Sequence, residues 1–241
     1  SLTSQGGQGQ TISEDGHYST LTVGNKTITI DVSDKDLHIV IDTLTQSSWN
    51  GVVNITGNNT LYLYINNFSL DQPLVINNLS QNPENLYIVS KKVLSINTSN
   101  RLYGNLIYQG IDSIARVGTQ SFSNITGSLI TDASLITLDT VDHLYGLLYA
   151  PNAAVNMSSD NSVTGRLVAN TLSMIGNNVI TYHSANSTLN LPAALLAPEP
   201  ETYTVNVAVD PAGSGTVTPT YAEVEEGQSI HIQATPNAGY E

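Results

Sequence analysis

Apolar and polar residues alternate along most of the chain from about residue 18 to 190, as in Ile28, Ile30 and Val32, Leu37, Ile39 and Ile41, Leu61, Leu63 and Ile65, and Leu94 and Ile96. A period of two sends successive side chains to opposite sides of an extended strand. Asn, Gly, Asp and Ser separate the runs, as tight turns between short strands require. No stretch combines helical periodicity with capping residues. Four segments share a further pattern: Leu102-Tyr103-Gly104-Asn105-Leu106-Ile107, Ile125-Thr126-Gly127-Ser128-Leu129-Ile130, Leu144-Tyr145-Gly146-Leu147-Leu148-Tyr149 and Val163-Thr164-Gly165-Arg166-Leu167-Val168. Their glycines fall 23, 19 and 19 residues apart. Between them lie second strands, Leu135–Leu138, Ala154–Met157 and Thr171–Ile175. Repeats of about 20 residues built from strand-forming residues predict an all-β fold, a parallel β-helix (β-solenoid). Leu106, Leu129, Leu148 and Leu167 should then form one inward ladder, with glycine at the corners where positive φ or close backbone approach is needed. The competing fold is a β-sandwich with glycine turns, but unrelated hairpins would not repeat both the glycine and its flanks.

The same reading divides the chain. Residues 1–16 are polar, Gly-rich and aperiodic, a flexible leader suited to being donated as a strand to a neighbouring copy. Residues 17–190 are the β-helix domain, and 191–201, with Pro192, Pro198 and Pro200, a semi-rigid linker. Residues 202–241 form a small all-β module, with strands expected at 203–209, 216–219 and 229–234. The chain opens at Ser1 without Met or a basic leader, so a mature or trimmed piece with an upstream export signal is expected.

Composition narrows the partners. Seven Lys+Arg stand against 20 Asp+Glu, a net charge of −13. Scattered cations cannot neutralise phosphates, which excludes nucleic acid and argues against an anionic membrane surface. The most apolar stretch, Leu191 to Ala197, is too short to span a bilayer, so no direct membrane insertion is expected. Only 11% of residues are charged, and polarity comes from 25 Asn, 25 Ser and 26 Thr. A surface of this kind suits an extracellular, cell-surface setting. There is no cysteine, so neither disulfides nor a thiolate site.

Two segments carry resemblances. Leu144-Tyr145-Gly146-Leu147-Leu148-Tyr149-Ala150-Pro151-Asn152-Ala153-Ala154-Val155, with Gly165–Ala169 and Gly176–His183, resembles a bacterial surface domain of pilin-like, type IV pilus-associated and secreted adhesin-like proteins. Its pattern is YG-x-x-YAPNA with a closing GN-x-x-I-x-Y, and the likeness covers roughly residues 20–185. Asn82-Pro83-Glu84-Asn85-Leu86-Tyr87-Ile88 is similar to that family's segment before its last rungs. Here His183 stands where an acidic residue usually closes the motif. Residues 202–241 are similar to extracellular, internalin B-repeat-like bacterial repeats and stop within the repeat pattern, as a truncated piece would. Both resemblances imply a surface protein, and the second a stalk module.

Few residues of the chain group in patterns that carry chemistry. β-Helical polysaccharide-cleaving enzymes need clustered acids beside a cation on one outer face. Here Lys26, Lys35, Lys91, Lys92, Arg101, Arg116 and Arg166 are mostly isolated. The acidic groups are Asp31, Asp34, Asp36 and Asp42, and Asp132, Asp139 and Asp142 beside His143. No enzyme and no cofactor is expected. His17, His38, His143, His183 and His231 lack ligand spacing. The loop Asp31–Asp36 lacks the glycine and terminal acid of a hand-type calcium site, so no metal is expected. Tyrosine is more informative. Leu61-Tyr62-Leu63-Tyr64-Ile65 places Tyr62 and Tyr64 on an outward stripe, and Tyr103, Tyr145 and Tyr149 hold repeat positions. Exposed rings in line are candidate ligand-binding residues for polysaccharide; alternatively they stabilise the solenoid or form a subunit contact. Nine sequons, at Asn25, Asn54, Asn58, Asn67, Asn78, Asn97, Asn124, Asn156 and Asn186, are candidate glycosylation sites that would mark exposed turns. Ice binding would need a regular threonine array, and Thr20/Thr22, Thr27/Thr29 and Thr43/Thr45 read as not recurring at the rung period. The expected partners are other copies of the chain or surface and pilus proteins, with polysaccharide as the alternative. The function expected is that of a non-enzymatic adhesin or filament- or pilus-associated subunit. The alternative is a carbohydrate-binding module, and after it a polysaccharide-cleaving enzyme.

Overall fold

Strands with apolar residues at alternate positions bury one side only, and here each finds its partner one turn further along the chain. The computed structural model describes residues 2–3, 9–47, 51–70, 72–96, 101–109, 115–117, 124–139, 143–184, 202–225 and 229–240. It divides into two units, Ser1–Leu189 and Asn190–Glu241. The first is a parallel β-solenoid with three strand faces per turn. The first face runs through residues 16–18, 37–41, 61–65, 86–90, 105–108, 129–131, 146–150 and 165–169. The second begins at Leu2–Thr3 and ends at 171–175. The third begins at Gln10–Ile12 and ends at Val179–Tyr182.

The expected leucine ladder forms in register: Leu106 on Leu129, Leu129 on Leu148, Leu148 on Leu167. It also extends back through Ile88, Leu63 and Ile39. All but Leu167 are buried. Each such side chain contributes about 1.5–3 kcal/mol relative to exposure, which makes the stacked core the main source of stability.

Two corner devices join the third face to the first. In the later turns the device is glycine. Gly127 and Gly146 have φ of 137° and 150°, and a Cβ on Gly146 would lie 1.9 Å from the Gly127 carbonyl oxygen. In the earlier turns the corner residue is aspartate. Asp15 Oδ1 accepts from the His38 N–H at 2.7 Å, and Asp36 Oδ1 accepts from the Thr60 N–H at 2.8 Å, each reaching one turn onward. Asn77 and Asn161 seal other corners from inside. Asn77, at φ 61°, donates through Nδ2 to the carbonyls of Asn82 and Tyr103 at 3.0 and 2.9 Å. Asn161 donates to the Leu138 carbonyl at 3.2 Å and to that of Ser158.

The supposed leader is partly structural. Leu2–Thr3 pairs with Leu21 and Thr22, and Gln10–Ile12 pairs with Ile28–Ile30. Ile12 is buried in the core. These strands close the first turn, so they are not free to be donated to a neighbour. Residues 185–201, which include the whole proline-containing linker, lie outside the described residues.

In the second unit Thr202–Asn206 pairs antiparallel with Tyr221–Glu225, and Gly215–Thr218 with Gln233–Pro236. The Tyr221–Glu225 strand was not anticipated from the sequence. The strand expected at 229–234 begins only at Gln233.

Candidate functional site

A solenoid presents its chemistry on outward columns, where one residue per turn stacks on its register partner. The first face carries two such columns. One runs Val40, Tyr64, Val89, Ile107, Ile130, Tyr149, Val168, every step in register and every member apolar or aromatic. Val40, Tyr149 and Val168 are exposed, Tyr64, Ile107 and Ile130 half-buried, and Val89 buried. At about 4.8 Å per turn this seam runs from the second turn of the face, where His17 precedes Val40 in the column, to the last.

The neighbouring column stacks His38, Tyr62 and Tyr87. The His38 and Tyr62 rings lie 4.6 Å apart at 12°, and Tyr62 and Tyr87 5.7 Å apart at 20°. Tyr62 and Tyr87 are each only 4% exposed. The open stripe expected at Tyr62 is therefore a packed ring stack, and no face of Tyr62 is free for a sugar ring. Tyr64 is half-buried, with its hydroxyl 3.2 Å from His38 Nδ1. Tyr103 and Tyr145 share a third-face column but are separated by Thr126, so their rings do not stack in sequence. Tyr145 is exposed, as is Tyr149 on the adjoining face.

Burial raises the Tyr87 phenol to about 12, with Glu84 and Tyr62 adding in the same direction. Tyr62 and Tyr64 are raised too, first by burial. A phenol whose folded value lies above its unfolded value near 10 stabilises the fold fully below pH 10. That contribution is lost as pH rises toward 12. Stability should thus fall over this window, and Tyr87→Phe should lessen the fall. Denaturant midpoints across the alkaline range, with tyrosinate absorbance recorded in parallel, check this. An equal decline in both proteins would contradict the assignment.

The acidic groups are not brought together. Asp31 accepts from Ser33 Oγ at 2.6 Å and from the Ser33 N–H at 3.1 Å, which lowers its carboxyl, as does a bond from Thr56. Asp36 sits at its corner. Asp42 accepts from Asn66 Nδ2 at 2.8 Å and lies 3.0 Å from His17 Nε2. Asp139 accepts from Ser158 Oγ at 2.6 Å on the second face, whereas His143 lies on the third with Ser162 Oγ 2.6 Å from its Nδ1. Asp142 lies outside the described residues. Among the described residues no three acids or histidines converge as metal ligands. Lys35 pairs with Glu14 and Asp15 at 3.1 and 3.2 Å, in the open.

Two of the threonine pairs do recur. Thr20 and Thr22 stack on Thr43 and Thr45 because the first turn is 23 residues long, and Thr45 Oγ1 donates to Thr22 Oγ1 at 3.0 Å. The next turn substitutes Asn67 for threonine, which ends the array. Of the sequons, Asn25, Asn58 and Asn78 stand exposed at turns, and Asn67 and Asn156 are exposed on strands. Asn54 and Asn124 are half-buried, and Asn97 and Asn186 lie outside the described residues. In the second unit a cleft is lined by Val209, Pro211, Thr216, Pro236 and Tyr240.

The seam was hidden from sequence reasoning by register, whereas Tyr145 and Tyr149 were legible from their repeat positions. Val40, Ile107 and Ile130 read as ordinary strand residues until stacking shows that they share one outer line.

Comparison with known families adds two findings. Residues 205–241 match the family described as "Divergent InlB B-repeat domain", in line with the repeat pattern read in the tail. Residues 2–143 match the family described as "Domain of unknown function (DUF7305)", a match that stops just before the Tyr145-Gly146 segment. No curated protein and no solved structure matches the chain. With more than half its length matched, the chain belongs to the DUF7305 family.

Proposed function

We propose that this chain is a non-enzymatic extracellular surface protein, an adhesin or pilus- or filament-associated structural subunit, that makes its contacts through the outer seam of the first face. The observation that carries this reading is the apolar column from Val40 to Val168, seven turns in register with Val40, Tyr149 and Val168 exposed. Exposed apolar side chains in line on a stable scaffold mark candidate interaction sites. The B-repeat match at the C-terminal end supports a bacterial surface setting. Polysaccharide binding is a second reading, favoured by the exposure of both Tyr145 and Tyr149.

The test compares retention of the labelled protein on bacterial cell-envelope preparations and on insoluble polysaccharides. Val40 and Tyr149 are exposed, so Val40→Lys and Tyr149→Lys should leave melting unchanged. Envelope retention should fall about tenfold, the equivalent of about 1.4 kcal/mol. Loss confined to polysaccharide would favour the second reading. Retention unchanged on both supports would contradict a role for the seam.

A further inference from the structure

We infer that the C-terminal end of the solenoid is a self-association surface, closed by the same end of a second copy of this chain. The contact is separate from the seam and does not depend on the adhesive reading.

Among the described residues of the first unit, the core columns end in members that no further turn covers. On the second face Val155 and Met157 are 0% and 1% exposed, but their register partners one turn later, Leu172 and Met174, are 42% and 41% exposed. On the third face Val163 is 0% exposed and its partner Ile180 38%. Around them stand Ile175 at 70%, Val179 at 54% and Tyr182 at 66%. Taking ~150–250 Å² for a whole large side chain, these six offer on the order of 450–800 Å². Thr171, Ser173 and Thr181 form a polar rim that extends this toward the ~800 Å² per partner of a standard interface.

Charge selects the occupant. The chain carries a net charge of −13, yet residues 161–184 contain no Asp or Glu. The only Lys or Arg among them, Arg166, is folded onto the Tyr182 ring at 5.6 Å. Two such ends bring no Asp or Glu of residues 161–184 against one another. The opposite end of the solenoid is acidic, with Glu14, Asp15, Asp31, Asp34 and Asp36, and its apolar Ile12 is already buried. A head-to-tail stack would therefore set an apolar surface against a closed, charged one. A two-fold contact uses one self-complementary patch and closes after two copies.

The backbone gives the contact direction. Among the described residues no strand pairs with the outer edge of residues 171–175 or of Val179–Tyr182. Such edges are templates for pairing with another chain, and a two-fold axis would pair them antiparallel.

Sedimentation velocity on the full chain over a concentration series tests this. The expected result is a reversible monomer–dimer equilibrium. Ile175→Glu and Tyr182→Glu, both at exposed positions, should each raise the midpoint concentration at least about tenfold with melting of dilute protein unchanged. Thr11→Glu, on the first turn, and Tyr149→Lys, on the seam, should leave the midpoint where it is. A monomer at every concentration would overturn the proposal, as would open-ended growth into longer species. So would a midpoint as sensitive to Thr11→Glu as to Ile175→Glu.

Discussion

Gly146→Ala should destabilise the solenoid by more than about 4 kcal/mol, a loss few single substitutions reach. Two effects combine at this position. The backbone sits at φ 150°, where an L-residue costs about 1–3 kcal/mol. The added Cβ would also lie 1.9 Å from the carbonyl oxygen of Gly127, a backbone atom that no rotamer change can move aside. Relief requires the turns to separate, which breaks the ladder of Asn124–Thr126 and Leu129–Ile130 against His143–Tyr145 and Leu148–Tyr149. Gly213→Ala is the matched control. Its φ of 86° is also positive, but nothing lies within 4 Å of a Cβ there. The penalty should be only about 1–2 kcal/mol, and it should fall on the second unit. Denaturant unfolding followed by circular dichroism reads both variants. A Gly146→Ala protein within about 1 kcal/mol of the parent would mean that the glycines do not stack.

The second large effect concerns the leucine ladder. Leu148 is 0% exposed between Leu129 and Leu167, and its truncation to Ala should cost about 2–5 kcal/mol, the range for a buried leucine that leaves a cavity. Leu167 belongs to the same column but lies one turn nearer the open end and is only partly buried. Leu167→Ala should cost clearly less in dilute protein, about 1–2 kcal/mol. Leu148→Asp should abolish folding, because an unpaired buried charge exceeds the ~5–15 kcal/mol that holds a domain together. Equal costs for the two alanine variants would contradict the observed gradient of burial.

The later turns were legible because their corners use glycine. Gly104, Gly127, Gly146 and Gly165 mark a repeat that register then places one above another, with the flanking leucines inward. The earlier turns follow the same path without that signal. Asp15 and Asp36 do the joining through carboxylate hydrogen bonds, and turn residues of that kind occur in many folds. The threonine pairs were misjudged for the same reason, since turn length had to be known before Thr20 could be set beneath Thr43. Tyr62 illustrates a different limit. Alternation placed it correctly on the outer side, but the ring stack with His38 and Tyr87 that buries it depends on residues more than 20 positions away. Period two tells which side a residue faces; only the stacking of turns tells what stands above and below it.

Every outer column, the seam included, depends on that stacking, since a slip of one residue would exchange inward and outward positions. The column Tyr103, Thr126, Tyr145, Thr164, Thr181 provides a ruler for it. The chain has no cysteine, so spin labels attach only where cysteine is introduced. The most direct test is electron paramagnetic resonance on two doubly labelled proteins, one at Thr126 and Thr181 and one at Tyr103 and Thr181. Three and four turns at about 4.8 Å predict backbone separations of about 14 and about 19 Å, differing by one turn. Equal separations, or distances beyond about 30 Å, several turns more than the stack permits, would contradict the account.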